Sequence, residues 1–175
     1  MRLGCLLSVV MPYELASWML GQWSGLSVSA TTLWHWVQQK GHQAQAELEA
    51  ALAAQAAGQS VMAAPLPADL AHLALAISAD GVMVPFRPQP GTARGKTQWR
   101  EVKVAIFARL GQRLNRAQQA VPQLWHRRLV AVLGTIDQFI HQLQLEAAKP
   151  AFESAPKVIW LSGGGPGFWR VYRTC

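Results

Sequence analysis

The chain has 175 residues, 51% of them hydrophobic and 14% charged, which is enough for a domain with a sizeable core and too apolar for a disordered segment. Its two cysteines, Cys5 and Cys175, stand at opposite ends with no C-x-x-C or His/Cys cluster, so neither a disulfide framework nor a zinc site is indicated. The formal charge of +7 is uneven: residues 1–86 come to −3, residues 87–128 carry ten lysines and arginines against Glu101 alone, and residues 129–175 come to +1. One basic block in an otherwise near-neutral chain points to a polyanion partner, the plainer alternative being an arginine-rich solvated surface.

In chain order, "MRLGCLLSVVMPYE" begins with one arginine and a short apolar run that breaks at Pro12. That is short of the ~20 residues a membrane crossing needs, so no membrane association and a cytoplasmic location are expected. Residues 1–60 read as a helical region. "PYELASWMLGQWSG" places Leu15, Trp18, Met19 and Trp23 on one helical face. After the turn "LSVS", Ser29 is a good N-cap for "ATTLWHWVQQK", with Leu33, Trp36 and Val37 on one face and Gly41 as the expected stop. Two helices and a tight turn fit a helix-turn-helix outline that would offer Trp34, His35, Gln38, Gln39 and Lys40 to DNA; an ordinary helical hairpin is the commoner source of so weak a pattern. "QAQAELEAALAAQAAG" is an alanine-rich helix, and residues 61–70, with Pro65 and Pro67, are the linker.

From residue 71 the period becomes that of strands. "LALAISADGVMVPFRP" is an apolar run through Asp80-Gly81, "QWREVKVAIFARLG" alternates and is rich in β-branched and aromatic residues, and "RRLVAVLGT" is a third run. "IDQFIHQLQLEAAK" reads as a helix with Ile136, Phe139, Ile140 and Leu143 on one face, "KVIWL" as a fourth strand, and "GFWRVYR" as the start of another helix. The order predicts an α+β fold with adjacent antiparallel strands, then a helical crossover to a strand parallel to the first.

The stretches "SADGVMVPFRP", "GKTQWREVKVAIFARLG", "RRLVAVLG" and "VIWLSGGGPGFWRVYR" resemble the DDE transposases of bacterial insertion sequences, specifically the ISKra-type group. The N-terminal helices are similar to the segment that precedes the catalytic core of that group. The resemblance implies a helical region followed by a partial RNase H-like core over 71–175, DNA as partner through transposon ends, and, in the intact family, three acidic residues holding two Mg²⁺ or Mn²⁺ ions. Such chemistry uses one ion to activate the nucleophile and a second to stabilise the leaving oxygen, and oxygen ligands are hard to replace.

On that resemblance Asp80 is the first carboxylate, although Asp-Gly alone also fits a hairpin turn. The second is expected where Gly163 stands, no acid follows Glu153, and the third belongs to a later helix, so the chain is expected to be an incomplete, inactive copy with no stably bound metal. Glu101 is the first substitute carboxylate to test. Arg94, Lys96, Arg100 and Lys103 are the expected phosphate-binding residues, and Val104, Ile106, Val158 and Ile159 are expected to be partly uncovered in a sheet with one bare face. The alternative function is a non-catalytic DNA-binding or regulatory module that pairs with an intact transposase or with itself. "SGGGPG" lacks the G-x-x-x-x-G-K-[ST] and G-x-G-x-x-G patterns, so no nucleotide cofactor is expected.

Overall fold

The computed structural model describes residues 1–61, 66–86, 97–163 and 166–174. The chain divides into two compact units, Met1–Ala53 and Ala54–Cys175. In the first, α1 (Arg2–Val10), α2 (Tyr13–Ser24) and α3 (Ala30–Ala56) pack around Leu7, Ala16, Leu20 and Leu33. A Cβ on Gly4 would come within 2.6 Å of Leu33 Cδ2, so glycine there lets α1 lie close to α3. Gly25, at φ 69°, closes α2 in the left-handed conformation, and Ser29 Oγ accepts from the Thr32 N–H at 3.1 Å to cap α3.

Two expectations fail in this unit. The buried face of α2 is Ala16 and Leu20, while Leu15, Trp18 and Trp23 are exposed. Small residues win the contact face because the helices approach closely, as Gly4 also requires. Nor does Gly41 stop α3, which runs 27 residues without a break. A helical glycine costs only about 1 kcal/mol, and glutamine, lysine and alanine on both sides favour continuing.

The second unit is α+β. After a 3-10 turn at Ala68–Leu70 come β1 (Ala74–Phe86), β2 (Gln98–Leu114), β3 (Ala120–Val132), α4 (Ile136–Ala147), the short α5 (Pro150–Glu153), β4 (Val158–Ser162) and α6 (Pro166–Thr174). The sheet order is β3-β2-β1-β4, with β1 antiparallel to β2, β2 antiparallel to β3, and β1 parallel to β4. This mixed four-stranded sheet is compatible with an RNase H-like arrangement. Asp80-Gly81 is no turn: β1 passes straight through it, with Asp80 opposite Val104 and Gly81 opposite Lys103. β3 starts at Ala120, seven residues before "RRLVAVLGT", and includes Pro122, which is tolerated because β3 is an edge strand.

α4 begins with a capping box, Thr135 accepting from the Gln138 N–H while the Gln138 side chain accepts from the Thr135 N–H. Its Phe139, Ile140 and Leu143 cover one face of the sheet, where Leu75, Ile77, Ala79, Ala105, Phe107, Val130 and Val132 point. Phe152 of α5 and Phe168 and Val171 of α6 complete that core. Of the alternate residues, which face the other way, Ala76 and Ala108 are buried, but the larger apolar ones are poorly covered: Ile106 and Leu161 are 40% and 56% exposed, Leu129 is 68% exposed, and Val104 and Ile159 are half-buried. Val158, at the start of the edge strand β4, is also exposed.

Candidate functional site where β4 ends beside β1

Parallel pairing of β1 with β4 runs from Leu75–Val158 to Ala79–Ser162. The next residues along the two strands are Asp80 and Gly163, so the register alone sets them side by side. Strand alternation then puts their side-chain directions on one face, the one bearing Ile106 and Leu161. A Cβ built on Gly163 would lie 3.6 Å from Asp80 Oδ1, an ordinary van der Waals distance. Oδ1 itself accepts from the Gly81 N–H at 2.8 Å, and the Asp80 side chain is exposed. β1 thus presents one carboxylate beside the end of β4, with room next to it for a second that the sequence does not supply.

Glu101 does not fill that place. It lies opposite Met83, on the other face of the sheet, and its carboxylate accepts from Lys103 Nζ at 2.8 Å. Its side chain passes over Gly81, so a Cβ there would require the Glu101 carboxylate to move aside. Lys103 Nζ also donates to the Gly134 carbonyl at 3.0 Å, tying β2 to the turn after β3, and its side chain is only 12% exposed. Of the four expected phosphate-binding residues, Arg100 shares the face of Asp80 and stands 5.4 Å from the centre of the Phe86 ring, a cation–π distance. Lys103 is on the opposite face, and Arg94 and Lys96 lie outside the described residues.

The basic block is less uniform than its charge count suggests. Arg109 is fully buried, donating from Nη1 to the Leu73 carbonyl at 2.7 Å and from Nη2 to the Ala151 carbonyl. Burial pushes its pKa down from the ordinary value. Arg128 pairs with Glu146 at 2.9 Å, and Lys149 binds the same carboxylate. Arg100, Arg113, Arg116 and Arg127 remain exposed. Sequence could not separate these classes, because alternation along a strand does not say which face is covered.

In the N-terminal unit, Trp34, His35, Gln38, Gln39 and Lys40 are all exposed on α3, with the Trp34 and His35 rings edge to face at 4.8 Å. Near the start of β1, Asp69, His72, Gln112 and Trp125 contribute to a cleft of about 250 Å³ that no sequence motif signalled. Among the described residues no three of His, Cys, Asp or Glu gather as a metal-ligand set, and no helix is long and apolar enough to cross a membrane. No protein-family model matches the chain, and no curated protein matches its sequence.

Proposed function

We propose that this chain is a DNA-binding relative of insertion-sequence transposases, RNase H-like in its second unit and without catalysis of its own. The observation that carries the reading is the juxtaposition of Asp80, midway along β1, with Gly163, just past the end of the parallel strand β4. Two-ion phosphodiester chemistry needs a carboxylate at each of these points to bridge and fix the metals. One carboxylate alone does not supply the ligands of a two-metal centre, so no cleavage step is assigned to these residues. What remains is phosphate binding by exposed cations of the central basic block, Arg100 among them, acting on the ends of the element in the cytoplasm. A regulatory module that competes with or joins an intact transposase is the second reading. It is favoured by the exposed Trp34, His35, Gln38, Gln39 and Lys40 on α3.

The test is binding of labelled duplexes taken from the DNA flanking the coding sequence, against scrambled duplexes of the same composition. Preference for the flanking DNA, weakened for every duplex by Arg100→Ala with a salt slope lower by about one, is the expected result. Equal affinity of the parent protein for all duplexes, with no effect of Arg100→Ala, would sink the reading.

A further inference from the structure

Helix α6 divides cleanly into two sides. Phe168 and Val171 are buried in the sheet core, and Arg170 Nη2 holds Asp137 of α4 at 2.8 Å, so the helix is anchored. Its other side shows Trp169, 45% exposed, and Tyr172, 54% exposed, one helical turn apart. Their rings meet at 6.2 Å, edge to face, and Tyr172 rests on Trp160 of β4 at 5.9 Å. Arg173, in the last turn of the same helix, is exposed. Large rings held rigid at the surface, beside a cation and backed by a third ring, lose little side-chain entropy when a flat ligand stacks on them.

We propose that Trp169, Tyr172 and Arg173 form a stacking platform for unpaired bases of single-stranded DNA. Planar bases stack on aromatic rings whatever their sequence, and an adjacent arginine meets the phosphate between them. Only two residues separate Gly163 from the helix, so the platform lies close in the chain to the end of β4 that runs beside Asp80. The inference rests on the DNA-binding reading above and adds which strand form this surface takes.

Two experiments test it on the full chain with labelled dT12 as probe. Trp169→Ala/Tyr172→Ala should lose roughly tenfold or more in dT12 affinity while a blunt hairpin duplex binds within about twofold of the parent. Arg173→Ala should lower the salt slope for dT12 by about 0.7. In the unaltered protein, a 5-bromouracil oligonucleotide should photo-crosslink to Trp169 or Tyr172, a readout that does not depend on a variant folding. Crosslinks confined to other residues, or dT12 binding indifferent to the double substitution, would overturn the platform. So would a double variant that loses self-association but not dT12 binding, which would make the rings a protein interface. Preference for flanking duplex with no dT12 binding overturns the platform alone; dT12 binding through α6 with no duplex preference overturns the transposon-end reading alone.

Discussion

The contrast between Gly163 and Arg109 shows how much a single residue's neighbours decide. Gly163 has 3.6 Å of clearance to Asp80 Oδ1 and no left-handed backbone to relieve, so Gly163→Asp should fold. It should lower the melting temperature by a few degrees through like-charge repulsion, and Mn²⁺ should recover the loss, without cleavage of DNA appearing. A variant whose melting temperature ignores Mn²⁺ would mean that the two positions are not neighbours. Arg109→Ala should cost about 2–4 kcal/mol in a denaturant titration, since it leaves a cavity and strips the Leu73 and Ala151 carbonyls of their donor. Sequence order places Asp80 within one apolar run and Gly163 at the end of another. Their adjacency appears only in the β1–β4 register, and the burial of Arg109 only once α5 is in place.

Strong periodicity was readable at the level of elements. α4 was legible because Ile136, Phe139, Ile140 and Leu143 recur at helical spacing, while its capping box of Thr135 and Gln138 went unread. Thr135→Ala should therefore destabilise the second unit by about 1 kcal/mol by thermal or chemical unfolding. β3 was only half legible, because Pro122 argues against a strand unless the strand is known to lie at an edge. The face of α2 was misread because large apolar residues count more than Ala16 in a pattern, whereas close helix contact selects small ones. α3 was misread at Gly41, whose Cβ position is open space in a continuous helix. Gly41→Ala should stabilise it by roughly 0.5–1 kcal/mol, whereas a true left-handed stop there would make the same change destabilising.

On the scale of the whole molecule, an α+β sheet with one packed face leaves Ile106, Leu129 and Leu161 in water. Contiguous apolar surface of this kind favours association. Sedimentation should show concentration-dependent self-association that Leu129→Ser/Leu161→Ser reduces; a parent protein that stays monomeric at all concentrations would count against an uncovered face. The uneven charge of the chain works beside that face. Exposed arginines at 100, 113, 116 and 127 can meet phosphates while Arg109 and Lys103 serve the interior. Binding without cutting is the behaviour this arrangement supports. The most direct measurement follows one labelled flanking duplex with the native chain in Mn²⁺, reading bound and cut fractions together across a salt series. Binding that falls steeply with salt and a cut fraction that stays at background are predicted. Metal-dependent cutting by the native chain, abolished by Asp80→Ala, would contradict the account.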